Sequence, residues 1–189
     1  MALETEIKLQ ISSKALEVLR SQLIDIGASQ ISPRKHESNL LFDFSEGTLR
    51  NSNCALRLRT YGKQTTLTFK GTPRSDPLFK QREELESLVS DKNQIQQILQ
   101  NLGMSICFEY SKFREIYSYT LDGEKVLIFL DETLVGTFVE LEGSSESIQN
   151  LANKLGWNPD QFIQETYISL IKNSSRKGGP TRKNPSLIK

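Results

Sequence analysis

The chain has 189 residues, with 24 Lys plus Arg against 23 Asp plus Glu, a formal net charge of +1, and 37 % hydrophobic residues. That length fits one domain with a core of its own, at most extended by a tail. The near-neutral balance argues against a generally cationic nucleic-acid binder and against a disordered polyelectrolyte. The start, Met1-Ala-Leu-Glu-Thr-Glu, is acidic and opens no secretory signal, and no apolar run approaches the ~20 residues of a membrane helix. A soluble cytoplasmic protein, not membrane-bound, is expected. Cys54 and Cys107 sit in apolar strand-like text and read as two buried thiols of a reducing compartment.

In chain order, residues 2–10 read as a strand. Ser12 or Ser13 then caps a helix carrying Leu16, Leu19, Leu23 and Ile26, with Gly27 placed to end it. Strands follow over 38–44, 54–61 and 64–70, the last two joined at Gly62-Lys63. After a strand over 79–89, Asp91 caps a helix with Ile95, Ile98, Leu99 and Leu102 before Gly103. Strands over 107–120 and 124–132 meet at Asp122-Gly123, and another spans 136–142. Ser145 is placed to cap a helix with Ile148, Leu151, Ala152 and Leu155 before Gly156. A last helix opens near Pro159 and carries Phe162, Ile163, Thr166, Tyr167 and Leu170, with Lys172 at its C-terminal end. From Ser174 the text is rich in Gly, Pro and Ser and holds Arg176, Lys177, Arg182, Lys183 and Lys189 without an acid. The domain is therefore placed at 1–173 and a disordered basic tail at 174–189. The domain keeps 19 cations against 23 acids, a net of −4. Eight mostly antiparallel strands with a few helices predict an α+β protein built on a large sheet or a barrel.

The strands share one feature. Glu4, Glu6 and Lys8 alternate with apolar or neutral residues, as do Arg57 and Arg59, and Glu140 and Glu142. Thr66, Thr68 and Lys70 share a face, as do Lys80, Arg82, Glu84 and Glu86, and Lys112 and Arg114. An ordinary solvated face would mix signs, whereas these are same-sign blocks that repel unless something opposite lies between them. Closing the sheet with the charged faces inward makes sense of this. The lumen then holds carboxylates suited to a hard divalent cation and an Arg/Lys group suited to a polyanion. Polyphosphate bridged by metal to carboxylates is the equipment of phosphoryl transfer.

Glu4-Thr-Glu6-Ile-Lys8 resembles the ExExK signature of the CYTH superfamily, the triphosphate tunnel metalloenzymes. The rest of the series follows in order: Phe42-Asp43, Ala55-Leu-Arg57-Leu-Arg59, Leu67-Thr-Phe-Lys70-Gly, Arg82-Glu-Glu84-Leu-Glu86, Lys112-Phe-Arg114, Leu130-Asp131 and Val139-Glu140-Leu-Glu142-Gly. Leu41-Phe-Asp43 departs from the aromatic pair common before that Asp. The resemblance implies an eight-stranded antiparallel barrel forming a tunnel, with helices packed outside, and dependence on Mg2+ or Mn2+. It implies Glu4, Glu6, Asp131, Glu140 and Glu142 as metal-site acids. It implies Lys8, Arg57, Arg59, Lys70, Arg82, Glu84, Lys112 and Arg114 around the substrate, with Glu86 as a further tunnel acid. Glu4, Glu6, Lys8, Arg59 and Arg114 are the candidates for catalysis.

The implied substrate is a small-molecule triphosphate, and the function a metal-dependent hydrolase of tripolyphosphate, thiamine triphosphate or a nucleoside triphosphate. A class IV adenylyl cyclase making cyclic AMP from ATP is the alternative, and a non-catalytic polyphosphate or nucleotide binder the second. No nucleic-acid partner is expected for the folded domain, and a homodimer is left open. His36, the single histidine, reads as a surface residue, Trp157 as a core or lid residue, and Tyr167 as a packing residue near one tunnel mouth.

Overall fold

The computed structural model describes residues 2–121 and 123–176. Eight strands form the sheet: β1 (Ala2–Ile11), β2 (Ser29–Phe44), β3 (Ala55–Tyr61), β4 (Gln64–Lys70), β5 (Lys80–Val89), β6 (Met104–Leu121), β7 (Glu124–Thr133) and β8 (Gly136–Glu142). They close an antiparallel barrel in the order β1-β5-β4-β3-β2-β6-β7-β8, with β8 returning to β1. The helices are α1 (Ser13–Asp25), α2 (Thr48–Asn51), α3 (Lys92–Asn101), α4 (Ser145–Lys154) and α5 (Tyr167–Arg176), with a 3-10 turn at Pro159–Gln161.

The core lies outside the barrel wall. Leu16, Leu19 and Leu23 of α1 and Ile148, Leu151 and Ala152 of α4 pack in one cluster with Ile7, Leu9, Ile128, Leu130, Val139 and Leu141. These wall residues alternate with the charged positions of β1, β7 and β8. Leu99 of α3 covers Leu40, Phe42, Leu58 and Met104 on the other side. Helices thus bury the apolar outer faces, and the charged faces turn toward one another in the lumen.

Local chemistry accounts for most boundaries. The Ser12 and Asp91 side chains accept the first free N–H groups of α1 and α3. Ser144, one residue before the expected cap, does so for α4. β2 begins at Ser29 rather than 38, running through Pro33 with register shifts between Gln30, Ser32 and Lys35. Pro33 lacks an N–H, and the irregularity accommodates it. α2 was not expected. Asp43 places it, its carboxylate accepting from the Leu49 and Arg50 N–H groups at 2.9 and 3.1 Å.

The expected single last helix is broken. After the 3-10 turn, Phe162 bridges Leu9 and the Ile163 N–H donates to the Lys8 carbonyl at 2.8 Å. β5 pairs with β1 only as far as Glu6, so the remaining edge of β1 leaves backbone groups to satisfy. The chain supplies that partner as extended backbone before α5 begins. α5 itself runs to Arg176, past the boundary placed at 173. The rest of the basic tail, 177–189, and Asp122 of the expected hairpin lie outside the described residues, although Leu121 and Glu124 pair across that turn. Cys54 is half-buried and Cys107 exposed, so the expectation of two buried thiols fails. Trp157 is half-buried against the larger core, and His36 is exposed. No helix among the described residues is long and apolar enough to cross a membrane.

Candidate active site in the barrel lumen

Strand alternation brings the expected charged residues into the lumen, where they sort into two groups. The first lies beneath the start of α5 and is closed off from water. Asp131, 0 % exposed, is its centre. Its Oδ1 accepts from Arg114 Nε at 2.6 Å. Its Oδ2 accepts from Arg114 Nη2 at 2.6 Å, Lys112 Nζ at 2.8 Å and Tyr167 Oη at 2.7 Å. Arg114 also donates to Glu140 at 2.5 Å, and Lys8 lies 3.3 Å from the other Glu140 oxygen. Lys8 further donates to the Glu165 carbonyl at 3.0 Å, in the segment that leads into α5. The Lys8 and Lys112 ammoniums stand 4.2 and 4.5 Å from the Tyr167 ring centre.

Burial would push the Glu140 carboxyl up, but Lys8, Lys112 and Arg114 hold it well below the usual range. Burial lowers the Lys8 ammonium against the pull of Glu140. Burial and the Asp131 charge drive the Tyr167 hydroxyl well above its usual value, so it stays a donor. This group neutralises itself with short, charge-assisted bonds.

The second group borders a cavity of about 790 Å3 lined by Glu4, Arg57, Arg59, Glu84, Glu86 and Glu142, with Glu37 and Arg114 at its inner side. Apolar Ile116, Leu127 and Phe129 share the lining. Lys70 pairs with Glu84 and lies 3.3 Å from Glu4, and Lys80 pairs with Glu6. Arg59 donates to Glu86 at 3.0 Å, and Thr68 donates to the same oxygen at 2.7 Å. Arg57 and Arg82 each keep a buried Nε without a hydrogen-bond partner.

Here the acids crowd one another. Burial, then a hydrogen bond with Glu4, raises Glu84 to about 7. Burial and the charge of Glu4 raise Glu142 to about 8. Burial also acts to raise Glu4, but the bond from Glu84 and the Lys70 charge bring it down to about 2. Burial and mutual crowding thus hold protons on Glu84 and Glu142, while Lys70 and the bond from Glu84 keep Glu4 ionised.

Among the described residues, no three acids, cysteines or histidines already surround one point as a metal would need. The donor chemistry nonetheless fits a hard divalent cation, which takes carboxylate oxygens and replaces the protons these acids share. Asp131, expected as a metal-site acid, is differently engaged: both oxygens are taken by Arg114, Lys112 and Tyr167. Glu140 is likewise held between Lys8 and Arg114. Three residues were absent from the expected site. Lys80 shared the charged face of its strand, so its pairing with Glu6 was open to reading. Glu37 was lost because the strand was started at 38, although Glu37, Asn39 and Leu41 alternate correctly. Tyr167 carried no periodic signal beyond that of a helix face.

The CYTH domain family model matches residues 2–165. A protein of Methanocaldococcus jannaschii named "Putative adenylate cyclase MJ0240" is 30 % identical over 179 residues, covering 89 % of this chain and 98 % of its own. A Vibrio parahaemolyticus structure described as "a putative adenylate cyclase" superposes with a TM-score of 0.74 at 19 % identity, covering 90 % of this chain and 98 % of its own. The Hippeastrum protein HpAC1, described as having a dominant triphosphatase activity, gives a TM-score of 0.66 at 17 % identity, covering 96 % of this chain and 98 % of its own. At such identities the two structures speak for the barrel fold.

Proposed function

Because the chain belongs to the CYTH domain family, we propose that it is a divalent-metal-dependent hydrolase of a triphosphate-bearing small molecule. One observation carries the reading. A single cavity joins the guanidiniums of Arg57, Arg59 and Arg114 to acids that hold one another partly protonated. A triphosphate answers the first and a cation the second.

Arg57, Arg59 and Arg114 bind phosphate oxygens and stabilise the charge that builds on them in the transition state. Lys70, Arg82 and Lys80 complete the positive side, and Lys8 and Lys112 approach from beneath Tyr167. Glu4, Glu6 and Glu142, with Glu84 beside them, would hold Mg2+ or Mn2+, which supplies positive charge against the phosphates when bound. Glu84, beside that group and paired with Lys70, is placed to take the proton of the attacking water as its oxygen adds to phosphorus and the anhydride P–O bond breaks. Asp131 and Glu140 act through Lys112, Arg114 and Lys8, which they orient.

The naming of the archaeal relative favours a second reading, an adenylyl cyclase. The same lumen would bind ATP, and the ribose 3′-hydroxyl would attack the α-phosphorus with pyrophosphate leaving. Phosphorus NMR on tripolyphosphate, thiamine triphosphate, ATP and GTP with Mg2+ or Mn2+ separates the two. Orthophosphate or pyrophosphate with a shortened substrate is expected. Cyclic AMP from ATP would replace the hydrolase reading by the cyclase, and no product from any substrate would overturn both.

A further inference from the structure

Glu37 has no task in the chemistry above. It is 1 % exposed and stands on β2 beside Tyr61 of β3. Its Oε1 accepts from Asn39 Nδ2 at 2.9 Å and lies 3.5 Å from Lys112 Nζ. Its Oε2 has no hydrogen-bond partner, and Arg114 Nε lies 3.9 Å from it. Burial acts to raise this carboxyl, but Lys112, Arg114, Arg57 and Arg59 hold it ionised. A buried carboxylate oxygen of a cavity-lining residue thus stands without a hydrogen bond, in only loose ion contact with Arg114.

Such an oxygen calls for a donor. Ionised tripolyphosphate offers only acceptor oxygens and is repelled by it. A triphosphate monoester such as ATP or thiamine triphosphate instead carries an organic group with N–H or O–H donors. The cavity, about 790 Å3, falls within the roughly 300–1,000 Å3 usual for organic ligands, and Tyr61, Ile116, Leu127 and Phe129 give it apolar walls.

We propose that Glu37 is a specificity-determining residue: its Oε2 accepts a hydrogen bond from the organic group of a triphosphate monoester and disfavours inorganic tripolyphosphate. This rests on the reading that the lumen takes triphosphates. The test measures equilibrium binding by titration calorimetry, first in EDTA, where turnover does not consume ligand, then with Mg2+. The ligands are ATP, thiamine triphosphate, tripolyphosphate and methyl triphosphate, the last an ester without a donor. The wild type should bind ATP or thiamine triphosphate about tenfold more tightly than methyl triphosphate. Comparable affinities overturn the proposal without any variant. Glu37→Gln should tighten tripolyphosphate and methyl triphosphate several-fold, and Glu37→Met should weaken the preferred ester by about tenfold. Affinities that move together for all four ligands would mean that Glu37 only supports Lys112 and Arg114, and overturn the proposal. Binding without turnover by the wild type would sink the hydrolase reading while these ratios still decide the role of Glu37.

Discussion

Asp131 and Glu142 are carboxylates on neighbouring strands of one barrel, and both face its lumen. Asp131 is met by a guanidinium, an ammonium and a phenol, and each oxygen is saturated. Glu142 is met by Glu4 and Glu6, and burial with those charges raises it to about 8. The same side-chain chemistry is therefore structural in one place and unfinished in the other. The difference lies in what the facing strands present. Beneath α5, Lys8, Lys112 and Arg114 balance Glu37, Asp131 and Glu140. Along the cavity, the acids are brought within reach of one another. The first region neutralises its own charge, and the second leaves its acids crowded, which is why the proposed cation and triphosphate are placed there.

Substitutions should separate the two regions sharply. Asp131→Ala strands Arg114 and Lys112 in a buried site and should cost about 3–5 kcal/mol of stability, read by urea unfolding. A loss below about 1 kcal/mol would erase the contrast. Glu142→Gln should do the opposite. It puts a neutral amide where the fold already holds the carboxyl mostly protonated, so the unfolding temperature in EDTA should stay level or rise. Metal-supported turnover should meanwhile fall by about 10²–10³-fold, the usual cost of one preorganised charged group. Near-normal turnover in that variant would remove Glu142 from the proposed metal group.

The pH dependence sharpens the same point. Glu84 and Glu142 bind protons more tightly in the folded chain than in the unfolded one, where carboxyls titrate near 4.5. Raised acid values mean that folding is helped at low pH and that this help is lost as pH rises. In EDTA, the unfolding temperature should therefore fall between about pH 5 and 8. Added Mg2+ should stabilise the protein more at pH 8 than at pH 5. A rising profile in EDTA would contradict the shared-proton arrangement.

Smaller effects grade the bonds within each region. Tyr167→Phe deletes one bond to a charged acceptor and should cost about 1.5–3 kcal/mol. Glu86→Gln loosens the half-exposed pair with Arg59 and should cost less than about 1 kcal/mol. Equal losses would mean that burial does not grade these bonds.

Much of this was legible along the chain. The alternation Glu4-Glu6-Lys8 against Leu3, Ile7 and Leu9 already separates a charged from an apolar face. The same-sign blocks at Arg57/Arg59 and Glu140/Glu142 already require an opposite charge from elsewhere. α1 and α3 were readable because the capping side chain and the terminal glycine each act on the residues right beside them. The split before α5 was not, because the edge of β1 that draws in Phe162 and Ile163 lies far away in sequence. Glu37 was missed because its strand crosses Pro33, where local propensity points away from pairing.

The sequence by itself determined which faces of the strands carry charge and how many charges the lumen must hold, since side chains two apart on a strand share a side whatever the register. It also determined the caps of α1 and α3, because those bonds are local. Only the tertiary structure decided which charge meets which. Register across the barrel places Arg114 opposite Asp131 and Glu6 opposite Glu142. Those neighbours, rather than residue type, make one acid a saturated strut and another a crowded, proton-holding carboxyl, because electrostatic energy in a buried lumen depends on distance and solvation.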